Sequence, residues 1–145
     1  DLHSNSRRQR QMCIRDSSHR LRRRSQAVQK TVGISEAQGR ILDYILVGIA
    51  RRPVYPKDIE KEFDLRSSTV TGALTALETE GLIARVPDER DGRLKKLVFT
   101  PKADGIRAAL QGEIEETEKR MLQGISEEEK AVFLELAERM LKNLE

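Results

Sequence analysis

The stretch SSTVTGALTALETEGLIARVPDERDGRLKKLVF, residues 67–99, holds a helical pattern, a glycine stop and a charged hairpin in direct succession. In its first part Val70, Leu74 and Leu77 recur at helical spacing with Ala73 beside them, and Gly81 stands where a C-cap glycine ends a helix. The opposite face is small and polar: Ser67, Ser68, Thr69, Thr71, Gly72 and Thr75. Two short apolar runs follow, at 82–86 and 94–99, both of which read as extended. Between them Asp88, Glu89, Arg90, Asp91 and Arg93 crowd around a single glycine, Gly92. That is far more charge than turning a corner requires.

Upstream, Ser35 and Gln38 form the S-x-x-Q of a capping box, and Ile41, Leu42, Ile45, Leu46 and Ile49 follow as one helical face. This helix is predicted to run to about Arg51 and to stop before Pro53, because a residue preceding proline avoids helical geometry. Pro56 suits a first helical turn, Ile59 and Phe63 give a short helix its apolar edge, and Asp64, Leu65 and Arg66 make a tight turn into the stretch quoted above. Helix, turn, helix and charged hairpin is the order of a winged helix-turn-helix.

Downstream, Thr100 and Pro101 are predicted to cap and open a long helix to about residue 123, with Ile106, Leu110, Ile114, Met121 and Leu122 along its apolar line. Ser126 and Glu129 form a second capping box before a last helix carrying Val132, Phe133, Leu136, Met140, Leu141 and Leu144. Residues 18–30 also take a helical pattern, with Leu21, Ala27 and Val28 to one side. The fold class is therefore mainly α with a small β-hairpin: a winged helix-turn-helix over about 34–100, flanked by terminal helices at about 17–30 and 101–145, all in one domain from 17 to 145.

Composition agrees. In 145 residues, 37% are apolar and 3% aromatic with no Trp, so the core is aliphatic. The net charge of +3 is unevenly spread, with +7 over residues 1–30 and −5 over 103–145. A basic front and an acidic tail point to a polyanion partner for one part of the molecule. The lone Cys13 excludes an internal disulfide, and no apolar run reaches the roughly 20 residues of a membrane span. A cytoplasmic protein is expected. Residues 1–16 are read as a disordered or non-native arm, because they lack a helical period and MCIRDS, at 12–17, resembles translated adapter DNA.

The residue types suit contact with a double helix. A recognition helix must bring its side chains to base edges in a groove about 12 Å wide, which favours small residues. Hydroxyls near the helix start can bond phosphates or bases, and the helix N-terminus favours a phosphate. Capping accounts for one of Ser67 and Ser68 but not for the whole run. Gly72 costs roughly 1 kcal/mol of helix propensity relative to Ala, which close approach to a surface would justify. In the loop, Arg93 suits a narrow minor groove, with Asp91 placed to hold its guanidinium, and Arg90, Lys95 and Lys96 suit phosphates.

These residues resemble the core of the MarR family of winged-helix transcription regulators. The resemblance rests on S-T-V-T at 68–71, E-x-x-G-L-I at 78–83, D-x-x-D-x-R at 88–93 and L-x-F-T-x-K-A at 97–103, and it extends over about residues 34–110. It implies a homodimer built on the first and last two helices, set on a pseudo-palindromic double-stranded operator, most often as a ligand-responsive repressor. It places DNA contacts at Ser68, Thr69 and Thr71, with Arg66 and Thr75 flanking them, and a wing pair at Asp91 and Arg93. Gly92 departs from the family, which often has Arg there. The family's effectors are small aromatic or anionic molecules, for which Arg40, Tyr44 and Ile106 are the candidate contacts. Some relatives sense peroxides through a cysteine in the first helix, a role open to Cys13.

Two other readings compete. An enzyme needs convergent titratable groups, but the histidines are His3 and His19, both in the basic arm, and no metal-ligand cluster, cofactor loop or nucleophile–base spacing appears. Catalysis, metals and cofactors are not expected. A winged helix used only for protein contacts is the remaining alternative; such domains tend to lose the basic wing, which here keeps Arg90, Arg93, Lys95 and Lys96.

Overall fold

The computed structural model describes the backbone of residues 2–145 and the side chains from Ser6 onward. The described elements run α1 (Leu2–Thr31), α2 (Glu36–Ile49), α3 (Pro56–Phe63), α4 (Ser67–Thr79), β1 (Ile83–Pro87), β2 (Lys95–Phe99), a 3-10 turn (Pro101–Ala103), α5 (Asp104–Met121) and α6 (Glu127–Lys142). Packing divides the chain into two compact units, Asp1–Glu113 and Ile114–Glu145. The first contains the whole helix-turn-helix and hairpin.

The first helix differs from the sequence expectation. Where a disordered or non-native arm is predicted over 1–16, α1 is already helical from Leu2; Asp1 lies outside the described residues. The segment has no glycine or proline and is rich in Arg and Gln, so local propensity favours a helix even without an apolar stripe. From residue 6 to 23 every side chain is exposed. The helix becomes part of the fold only near its end, where Gln29 is buried against α2. Gly39 permits that contact: a Cβ there would lie 2.1 Å from the Gln29 Cδ. Gln29 Nε2 donates to Ser25 Oγ at 2.8 Å, and Ser25 Oγ donates to the Asp43 carboxylate at 3.1 Å.

α2 starts with the predicted capping box, Gln38 N donating to Ser35 Oγ at 3.1 Å and Ser35 N to Gln38 Oε1 at 3.0 Å. It ends at Ile49 rather than Arg51, because the N–H groups of Arg51 and Arg52 both turn back onto Gly48 O. α3 spans the predicted residues, and its end is sharp: Asp64 takes a left-handed φ of 50°, and Leu65 N reaches Glu60 O at 3.0 Å. Gly81, with φ 74°, turns the chain from α4 into the hairpin, a conformation that glycine adopts without steric cost.

The core lies beneath this lobe. Leu42, Ile45, Ile59, Val70, Leu74 and Leu77 are all 0% exposed, joined by Val54, Ile83, Leu97 and Leu110. Each such side chain contributes roughly 1.5–3 kcal/mol relative to leaving it in water. The strands pair antiparallel, Ile83 opposite Phe99 through Pro87 opposite Lys95. Leu97 N also donates to Val54 O at 2.8 Å, so the segment before α3 lies along the free edge of β2.

Thr100 does not cap the next helix. Its hydroxyl donates to Gly81 O instead, tying the hairpin exit to the end of α4, and a 3-10 turn precedes α5. In the second unit, the predicted capping box of α6 is present, Glu129 N donating to Ser126 Oγ at 3.1 Å and Ser126 N to Glu129 at 3.0 Å. No residue of α6 is buried. Phe133, Leu136, Met140, Leu141 and Leu144 are all exposed, the last at 84%.

Candidate nucleic-acid interface

The face of α4 that carries Val70, Leu74 and Leu77 is sealed in the core, which turns the remaining positions outward. Arg66, Ser67, Ser68, Thr69, Thr71, Gly72 and Thr75 are all exposed. Contrary to the sequence expectation, neither serine caps the helix. The N-cap position belongs to Arg66, whose side chain makes no capping bond. The turn after α3 is so short that helical geometry has begun by Ser67, and both serines fall inside the first turn. The backbone compensates, with Thr69 N and Val70 N donating to Arg66 O at 2.9 and 3.1 Å. Among the described residues no hydrogen bond engages the hydroxyls of Ser67, Ser68, Thr69 or Thr71. A Cβ at Gly72 would meet nothing within 4 Å among the described residues, so none of them requires glycine there. Thr75 is partly engaged: its Oγ1 lies 3.5 Å from Arg85 Nη2, and Arg85 Nε lies 3.1 Å from Glu78. Arg85, which pattern reading passes over, thereby joins β1 to the outward side of α4.

The loop between the strands is built from its own carboxylates. Asp91 Oδ1 accepts from both the backbone N–H and the Nε of Arg93, at 3.1 and 3.2 Å. The Arg93 side chain is 92% exposed, so this grip directs a guanidinium that otherwise stands in solvent. Asp88 is the residue that sequence reasoning missed. It is only 7% exposed. Its Oδ1 accepts from Arg90 N at 2.8 Å and Asp91 N at 3.3 Å, and its Oδ2 accepts from the Tyr55 hydroxyl at 2.6 Å. The Tyr55 bond and the Arg90 amide hold the Asp88 carboxyl below its usual range, and the same bond pushes the Tyr55 phenol up. The signal was present as the first Asp of D-x-x-D-x-R, but only a side chain brought in from the segment just before α3 gives it this role. Lys96 Nζ sits 3.3 Å from Glu89, and Lys95 Nζ lies 3.5 Å from Gly92 O, on the same loop as the exposed Arg90.

Tyr55 is itself held. Its backbone N donates to Asp58 Oδ2 at 2.8 Å, and Arg52 grips the two Asp58 oxygens at 3.0 and 3.1 Å. The Arg52 guanidinium keeps the Asp58 carboxyl below its ordinary range.

The three effector candidates do not converge in the same way. The Arg40 guanidinium lies 4.8 Å from the centre of the Phe63 ring, and Tyr44 meets the same ring edge-on at 5.9 Å. Ile106 is half-buried at the start of α5. Arg40 also lines a cavity of about 390 Å³ between α1 and α2, together with Arg22, Ser25, Gln29 and Glu36, whereas Tyr44 and Ile106 do not. Cys13 is exposed on α1. Among the described residues no group of His, Cys, Asp and Glu is arranged to hold a metal ion, and no helix is long and apolar enough to cross a membrane.

Comparison with known proteins agrees with this geometry. A family model described as MarR family matches residues 32–94. Two Bacillus subtilis (strain 168) proteins, each described as an uncharacterized HTH-type transcriptional regulator, are similar. YybA is 31% identical over 101 residues, 69% of this chain and 67% of its own length; YxaD is 34% identical over 90 residues, 62% and 63% respectively. The alignments thus span about two thirds of these relatives, 67% and 63%. Among solved structures, S. aureus MepR in its DNA-binding conformation is 25% identical with a TM-score of 0.78, covering 93% of this chain and 98% of MepR. A MepR–DNA complex gives a TM-score of 0.72 at the same 25% identity, covering 92% and 94%.

Proposed function

This chain belongs to the MarR family of winged helix-turn-helix transcriptional regulators, and from that premise we propose that it acts as a homodimeric repressor on a pseudo-palindromic duplex operator. α4 enters the major groove, where Ser68, Thr69 and Thr71 read base edges. Arg66, Ser67, Gly72 and Thr75 flank them against the sugar-phosphate backbone. Arg93, aimed by Asp91, enters the adjoining minor groove, and Arg90, Lys95 and Lys96 meet phosphates. The observation that carries this reading is the combination, in one chain, of hydroxyls on an outward helix face with no bond among the described residues and a hairpin arginine already held in one direction. A surface meant only for solvent has no need of either.

The apolar side chains exposed on α6 support a twofold dimer, since monomers rarely leave patches of that kind uncovered. Two copies would then present their recognition helices about one DNA turn apart, roughly 34 Å. The protein is non-catalytic and cytoplasmic in this reading. A small aromatic or anionic effector, met by Arg40, Tyr44 and Ile106, releases the operator.

Selection of binding sites from random duplex DNA tests the proposal. It expects an enriched inverted repeat, bound two chains at a time, with affinity falling steeply as salt rises. A flat salt response with no enriched sequence would favour the protein-interaction alternative.

A further inference from the structure

We propose that Tyr55 and Asp88 are positioning residues for the wing, through which the connection between α2 and α3 sets the direction in which Arg90 and Arg93 leave the hairpin. The inference rests on the DNA-binding role above and deepens it.

A continuous series of bonds carries the argument. The Tyr55 hydroxyl donates to Asp88 Oδ2; Asp88 Oδ1 holds the amides of Arg90 and Asp91; Asp91 Oδ1 holds Arg93 at its backbone and at Nε. The series is anchored at its far end. Arg52 clamps Asp58, Asp58 holds Tyr55 N, and Val54 O pairs with Leu97 N on β2. The wing is therefore tied to the segment before α3 twice, once by backbone and once by side chain.

Closing the loop needs only Oδ1 of Asp88, as an aspartate commonly does by bonding amides two and three residues on. The second oxygen is not required for that turn, yet it takes a phenol hydroxyl at 2.6 Å from the connection between α2 and α3. At 7% exposure Asp88 also keeps its negative charge turned inward, away from any phosphate facing the wing. A carboxylate with both oxygens satisfied beneath Arg90 and Arg93 orients its neighbours without repelling the ligand. The shifts agree with the geometry, since the bond depresses the Asp88 carboxyl and raises the Tyr55 phenol.

The test uses the full chain carrying Tyr55→Phe, which keeps the ring and removes one oxygen. Hydrogen exchange at the Arg90 and Asp91 amides of the free protein should quicken by about tenfold, the scale of one charge-assisted bond. Duplex affinity should fall roughly 3- to 10-fold by the same conversion, and Arg93→Ala should cost less in that background than in the wild type. Asp88→Asn should act in the same direction, and the thermal midpoint of Tyr55→Phe should fall by no more than the few degrees that loss of one such bond costs. Unchanged amide exchange, or an undiminished effect of Arg93→Ala in the Tyr55→Phe background, overturns the positioning role. Wild-type protein that ignores duplex DNA overturns the DNA-binding reading instead, and the exchange measurement still reports whether Tyr55 holds the wing.

Discussion

Asp91 grips Arg93 at two points with a single oxygen, 3.1 Å from its amide and 3.2 Å from its Nε, while the arginine side chain stands almost wholly in solvent. An exposed pair of this kind adds little to folding stability, usually under about 1 kcal/mol. Its value lies in direction. A guanidinium already aimed loses less rotamer freedom when it meets a groove.

Arg93→Ala should therefore weaken binding to nearly all duplex sequences and reduce the salt slope by about one. Asp91→Ala should lower affinity less, because the cation remains but is no longer held. Thermal unfolding of both variants should match the wild type. Equal affinity for the wild type and Arg93→Ala would remove the wing from the interface.

Thr71 is exposed on α4, and among the described residues its hydroxyl has no hydrogen-bonding partner. Thr71→Val keeps the shape and removes the polar atom. Its effect should fall on one position of each half-site, worth about 1–3 kcal/mol of discrimination, with the salt slope unaltered. Site selection with the variant measures this. A uniform loss across sequences would move Thr71 from base reading to phosphate contact.

Leu74 is 0% exposed at the centre of the α4 core face. Leu74→Ala should destabilise the protein by about 2–5 kcal/mol through lost burial and the cavity left behind. Urea unfolding reads it directly. Little change would mean that α4 is not packed as described, and the outward assignment of its threonines would go with it.

Phe133 and Leu141 are 63% and 65% exposed on α6. Phe133→Ser with Leu141→Ser should shift sedimentation toward a single subunit and flatten the concentration dependence of duplex binding. A variant that sediments as the wild type does would place the dimer contact elsewhere.

Asp43 has its carboxyl raised by burial, with the Ser25 and Gln29 bonds opposing the shift and the nearby Glu113 adding to it. A raised carboxyl pKa means that the native state holds its proton more tightly than the unfolded chain. The contribution to stability is complete below the unfolded value, about 3.9, and is lost as pH rises through the folded value. Asp43→Asn should abolish that dependence and leave stability at neutral pH equal or higher, within about 1 kcal/mol. Unfolding in urea at several pH values decides. A marked loss at neutral pH would show that the charged form supports the contact between α1 and α2.

Legibility followed the range of the interaction. The capping boxes at Ser35 and Ser126 and the span of α3 were readable because their partners lie within a few residues. The grip of Asp91 on Arg93 was readable for the same reason, two positions apart. Local pattern failed where propensity acted without a stripe, as in the first half of α1, and where a short turn started α4 before either serine could cap it.

By itself, then, the sequence determined the elements, their order and the small, polar character of the α4 face, because helical period, capping and glycine stops are properties of neighbouring residues. It also determined the MarR pattern itself. Only the tertiary structure decided that Tyr55 meets Asp88 across 33 positions, that Arg85 reaches Thr75 from the hairpin, and that Gly39 admits Gln29. Those contacts depend on where the chain returns after several turns, and no local spacing encodes that return.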